Sequence, residues 1–217
     1  MRKLFLVLAV IFATTASFSQ NTIDAKNAEK RKVSSFHGIS SAAGIEVFIT
    51  QSDKEELAVT ASDNDIISRI ETVVEGGILK ISRKNDWSFW KNFKNWNAKV
   101  YVSYKTLNSL HASSGSSISG TLKTDMLDVD VSSGAQIKID GSVKSLGVES
   151  SSGAEFSGYN LITEICTARA SSGGTVKVTV NKELSAKASS GGGVRYKGDG
   201  VIKNISVSSG GEVKRSK

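Results

Sequence analysis

The sequence predicts an all-β chain wound as a single-stranded parallel β-helix, a solenoid of about 19 residues per coil. Three observations carry that prediction. The tripeptide Ser-Ser-Gly occurs at Ser113, Ser132, Ser151, Ser171, Ser189 and Ser208, with first serines 19, 19, 20, 18 and 19 residues apart. Apolar residues then recur at fixed offsets. Leu110, Val129, Val148, Ala168, Ala186 and Ile205 stand three before the first serine, and Ile118, Ile137, Phe156, Val176, Val194 and Val213 stand five after it. Their two-residue alternation with other positions is the periodicity of strands with one face in and one face out. Finally, 20 glycines and no proline suit stacked strands, because proline cannot donate to a ladder.

Each repeat reads as strand, Ser-Ser-Gly corner, strand and looser return. The glycine supplies the left-handed backbone of a sharp corner. The third residue after the first serine is always small: Ser116, Ala135, Ala154, Gly174, Gly192, Gly211. Stacked about 4.8 Å apart, the coils bury a continuous apolar row that no single coil can bury. Val129, Val148, Ala168, Ala186 and Ile205 are expected inside. The serines read as structural, stacked so that their hydroxyls exchange hydrogen bonds or satisfy corner backbone groups. A nucleophilic serine needs a base beside it, and there are only two histidines, His37 and His111. No catalytic residue is assigned.

Before the repeats the chain is less regular. Residues 1–19 read as a signal peptide: Arg2 and Lys3, the apolar run Leu4 to Ala13, then small residues, with cleavage expected after Ser19 and Ala16 as the second choice. The run is too short to span a bilayer as a mature helix, and no transmembrane segment is expected in the mature chain. No cysteine follows to take a lipid. Residues 20–35 read as a polar leader, and 36–217 as the β-helix domain. Within it, 36–112 is an irregular N-terminal part, either degenerate coils or a cap, and 113–217 holds the repeats. Strands are expected at Ile45 to Thr50, Leu57 to Ala61, Ile78 to Ser82 and Ala98 to Tyr104, with a short helical turn from Asp63 to Arg69. Between the last two strands sits Asn85 to Asn97, which holds all three tryptophans.

The formal charge is +7, or +5 once Arg2 and Lys3 are removed (7−2). That modest excess fits acidic glycans or surfaces without demanding nucleic acid, and no nucleic-acid motif is present. A lone cysteine excludes an intramolecular disulfide framework and any multi-cysteine metal site.

Phe36-x-x-Ile39, then Gly44-Ile45-Glu46-Val47-Phe48-Ile49-Thr50-Gln51, then Gly76-Gly77-Ile78-Leu79-Lys80-Ile81, followed by the Ser-Ser-Gly repeats, resemble the bacterial "putative auto-transporter adhesin head domain", or GIN domain. The resemblance covers roughly residues 36–215. It implies a right-handed, pectin-lyase-like β-helix, an exported location and an adhesive role without recognised catalytic residues. The Gly-Ile-Asn signature is replaced by Gly38-Ile39-Ser40 and Gly44-Ile45-Glu46.

Five features are candidate sites. Cys166 occupies the column of Leu127, Leu146 and Leu184 and is expected to be a buried inert thiol. Asp125, Asp128 and Asp130 lack a recurring calcium-binding pattern, and Asp128 and Asp130 read as solvated outward residues, so neither metal nor cofactor is assigned. Asp130, Glu149, Arg169 and Lys187 share an outward column, in which Glu149 pairs with Arg169. The sixth residue after each first serine reads Ser119, Lys138, Ser157, Lys177, Arg195, Lys214, a basic stripe that is either solubilising charge or a track for a polyanion. The rings Trp87, Trp90, Phe93 and Trp96 either cap the stack or meet a partner. The expected function is an exported, non-enzymatic β-helix of the periplasm or cell surface, engaged in adhesion or cell-envelope assembly. The expected partner is an acidic polysaccharide, an envelope protein or a second copy. The alternatives are a polysaccharide-active enzyme such as a lyase, since such enzymes also use β-helices, and a purely structural envelope protein.

Overall fold

The computed structural model describes residues 28–84 and 97–217. The coils are present as expected. Each corner joins a strand on one face of the solenoid to a strand on the other. After the corners run β9 (Ser117–Val131), β10 (Gln136–Ser150), β11 (Glu155–Ala170), β12 (Thr175–Ala188), β13 (Gly193–Lys197) and β15 (Glu212–Arg215). β14 (Val201–Val207) precedes the last corner. Neighbouring coils pair in parallel and in register: Val129, Val148, Ala168, Ala186 and Ile205 form one column.

That column is the core. Val129, Val148, Ala168 and Ala186 are at most 5% exposed, beside a second inner column of Ile118, Ile137, Phe156, Val176 and Val194. Ile205 departs from the expectation. It holds the right register but is 42% exposed, and no coil lies over it among the described residues.

The corners are sharper than one glycine allows. The second serine and the glycine are both left-handed, as at Ser114 (φ 51) and Gly115 (φ 70), and this recurs in all six. The glycine N–H then donates to the second-serine carbonyl of the next coil: Gly115 to Ser133, Gly134 to Ser152, Gly153 to Ser172, Gly173 to Ser190 and Gly191 to Ser209, at 3.0–3.2 Å. This backbone ladder replaces the expected hydroxyl exchange, and none of the corner serines makes a side-chain hydrogen bond among the described residues. The small column that follows is explained by close approach. A Cβ on Gly174 would lie 2.4 Å from the Ser150 carbonyl oxygen. Nor is the return loose: β9 to β12 run through it as continuous strands of 14–16 residues. They bend at points such as Gly141, where φ is 117° and a Cβ would lie 2.0 Å from the Leu122 carbonyl oxygen.

The N-terminal part, expected as either degenerate coils or a cap, contains both. β2 (Gly38–Ser41) and β3 (Glu46–Gln51) flank a seventh corner, Ala42-Ala43-Gly44, with φ 62° at Ala43 and 70° at Gly44. Gly44 joins the same ladder, donating to Ser114. β6 (Ile78–Arg83) pairs in parallel with β2, and β7 (Lys99–Tyr104) pairs in parallel with β3, so they form the coil beneath. β8 (Ser109–Ala112) returns to the opposite edge of β2 and starts the regular stack. Beneath the lowest coil, β4 (Glu56–Thr60) runs antiparallel to β7, and β5 (Ile70–Glu75) runs antiparallel to β6.

α1 (Asn64–Arg69) links those two faces and buries Ile66 and Ile67. Asp63 caps its N-terminus, its side chain accepting from the Asp65 N–H. Part of the stretch expected as leader is also structured: β1 (Ala28–Arg31) pairs antiparallel with β4. An otherwise bare edge attracts such a strand, and charged residues suit its exposed outer side. From β1, Arg31 donates to the carbonyls of Ile67 (2.8 Å) and Ile70 (2.6 Å), where the helix ends.

Candidate functional site

The outward residues after each corner form a column that runs the length of the solenoid. Strand register places Ser119, Lys138, Ser157, Lys177, Arg195 and Lys214 one above another. Lys177, Arg195 and Lys214 occupy three consecutive coils, about 4.8 Å apart along the axis. That is well inside the Debye length of about 8 Å, so their mutual repulsion is poorly screened. Lys177 is relieved locally by Glu155, 2.7 Å away and 40% exposed. Lys138, Arg195 and Lys214 are exposed and have no ion pair among the described residues.

The column continues downward as an aromatic step. Phe48 lies beside Ser119, and Tyr101 lies beside Phe48. The two half-buried rings stack with centroids 5.2 Å apart and planes 19° apart. Sequence reasoning missed this pair. The signal was Ala42-Ala43-Gly44: once that is read as a corner, Phe48 is the sixth residue after its first position and falls in the stripe. Nearer the other end, the Lys197 ammonium sits 4.8 Å over the Tyr159 ring.

The other outer face carries a shallow groove of about 500 Å³ between the first serines of the corners and the column Asp130, Glu149, Arg169, Lys187. Its charges are mostly spent on one another. Arg169 Nη1 donates to Glu149 Oε1 at 2.6 Å, the expected pair, and His111 Nδ1 lies 3.5 Å from Asp130 Oδ2. Asp125 pairs with Lys144 at 2.8 Å, and Asp128 leans over Gly147. Among the described residues no group of three or more His, Cys, Asp or Glu side chains converges. Cys166 is buried in the leucine column as expected, and burial pushes its thiol up to about 12. The rings Trp87, Trp90, Phe93 and Trp96 lie outside the described residues, as does the segment read as a signal peptide. No helix among the described residues is long and apolar enough to cross a membrane.

Residues 35–200 match the family model described as "Putative auto-transporter adhesin, head GIN domain". The chain belongs to this family. Among solved structures it is similar to a "putative adhesin" from Bacteroides fragilis NCTC 9343, at 20% identity and a TM-score of 0.68, covering 87% of this chain and 96% of that one. A second "putative adhesin", from Parabacteroides merdae ATCC 43184, is 16% identical with a TM-score of 0.51, covering 88% and 96%. At these identities the likeness is one of fold. No curated protein sequence matches the chain. In this GIN-domain chain the Gly-Ile-x stretches have clear places: Gly38-Ile39 opens β2, and Gly44-Ile45 completes the seventh corner and leads into β3. Ile39 and Ile45 are both core residues, at most 1% exposed.

Proposed function

We propose that this GIN-domain protein is an exported, non-enzymatic contact module that binds an acidic polysaccharide across its coils. The observation that carries the reading is the in-register stripe of Lys138, Lys177, Arg195 and Lys214, with three of its four cations unpaired among the described residues. A rigid ladder of like charges is costly to leave bare, and a polyanion laid along it relieves the repulsion at several coils at once. The stacked Phe48 and Tyr101 at the foot of the stripe offer an apolar step against which a sugar ring can pack. The family's adhesin description supports contact rather than turnover. The basic, apolar, small-residue order of residues 1–19 supports export to the periplasm or cell surface.

The test is retention on an immobilised acidic glycan. Wild type should bind at low salt and elute steeply as salt rises. Lys177→Glu combined with Arg195→Glu should abolish retention while leaving the melting temperature within a few degrees. Unchanged retention reduces the stripe to solubilising charge. New unsaturated sugar products would make the protein a lyase instead.

A further inference from the structure

The two ends of the solenoid are finished differently. At the lower end α1 closes the core with Ile66 and Ile67, and β1, β4 and β5 cover the strand edges. At the upper end nothing comparable is present among the described residues. Ile202, Ile205 and Val207 of β14 are 44%, 42% and 50% exposed. One coil below, Leu184, Ala186 and Ala188 occupy the same inner columns at no more than 5%. The corner ladder stops with Gly191 donating to Ser209, and the equivalent N–H of Gly210 has no acceptor among the described residues. Bare strand edges over an open apolar core are a strong template for another strand, and solenoids normally need capped ends.

We propose that this end is the interface with a second copy of the chain, joined upper end to upper end about a two-fold axis. The sequence of β15 suits that partner. Glu212 and Lys214 point outward and Val213 points inward, in the column of Val194. When two β15 strands run antiparallel with Val213 opposite the partner's Val213, Glu212 falls opposite the partner's Lys214, and the reverse pair follows by symmetry. One strand therefore carries both halves of its own complement, as an isologous interface requires. On the other face β14 meets β14, which covers Ile202, Ile205 and Val207. An isologous contact uses up both upper ends, so assembly through it closes at two. The dimer sets the two basic stripes on one continuous face.

The test is the oligomeric state of the full chain by sedimentation equilibrium, without any glycan. Wild type is expected to be a dimer at about 100 µM that dissociates on dilution. Ile205→Lys, at a position half open in the protomer, should give a monomer with unchanged circular dichroism. Lys214→Glu sets carboxylates opposite each other at both symmetric pairs and should raise the dissociation constant about tenfold or more. Adding Glu212→Lys to it should restore dimerisation. A monomeric wild type, an open filament, or a dimer indifferent to Ile205→Lys would overturn the proposal, the last because association would then rest elsewhere, as on residues 1–27. Should Ile205→Lys fail to fold, the exposed charge pair decides: loss with Lys214→Glu that the double change does not restore overturns the pairing.

Discussion

Between Ser113 and Lys217 every coil repeats one plan, whereas between Ala28 and Ala112 the same coil shape is assembled from unlike pieces. The corner shows what is and is not required. Ser114-Gly115 and Ala43-Gly44 adopt nearly the same pair of left-handed conformations, φ 51° and 70° against 62° and 70°. The serine hydroxyls are therefore not what makes the turn. The turn needs a glycine and a small neighbour that tolerates the left-handed region; Ser209-Gly210 makes it at φ 48° and 73° with no coil above to accept its N–H among the described residues. The second contrast lies in order along the axis. In the repeats, sequence order is stacking order. In the N-terminal part β1 lies at the bottom edge, β2 and β3 form a coil above it, β4 to β7 then build the end beneath that coil, and β8 passes to the far side of β2 to begin the stack.

The largest expected effect separates the core from every other feature. Val148→Asp places a carboxylate in a column that is 1% exposed and flanked by Val129 and Ala168. It should cost about 4 kcal/mol or more, seen as failure to fold or a collapse of the melting temperature. A melt within a degree or two of wild type would break the assigned register.

A smaller effect should separate the two kinds of bend in one coil. Gly141→Ala must move the Leu122 carbonyl, 2.0 Å from the new Cβ, and should cost about 3 kcal/mol. Gly134→Ala meets nothing within 4 Å and bears only the left-handed penalty at φ 70°, about 1–2 kcal/mol. Denaturant unfolding of the two variants gives the order directly, and equal losses would show that crowding at Gly141 relaxes away.

The most local effect belongs to the cap. Arg31→Ala removes the guanidinium from the Ile67 and Ile70 carbonyls and should cost about 2 kcal/mol locally. Native-state hydrogen exchange should then quicken in β1, β4 and α1 while β10 to β12 keep their protection. Uniform quickening would mean that cap and stack open as one unit.

The coil period, the corner and the inward and outward columns were legible in the sequence because each is a local pattern written six times. Repetition fixes register: once one Ser-Ser-Gly is placed, Val148 faces in and Lys177 faces out. The short helix was legible too, as a helical turn from Asp63 to Arg69, while its Asp63 cap and the burial of Ile66 and Ile67 came from the structure. What the tertiary structure decided is everything that depends on a single long-range pairing. That β6 and β7 form the coil beneath β2 and β3, that β1, β4 and β5 run antiparallel as a cap, and that Tyr101 comes to stack on Phe48 leave no repeated mark. A strand's sequence states which of its faces is apolar, but not which edge it will find or in which direction it will run. Those choices follow from which edges were left bare and which apolar surfaces still needed cover, and only the assembled stack defines either.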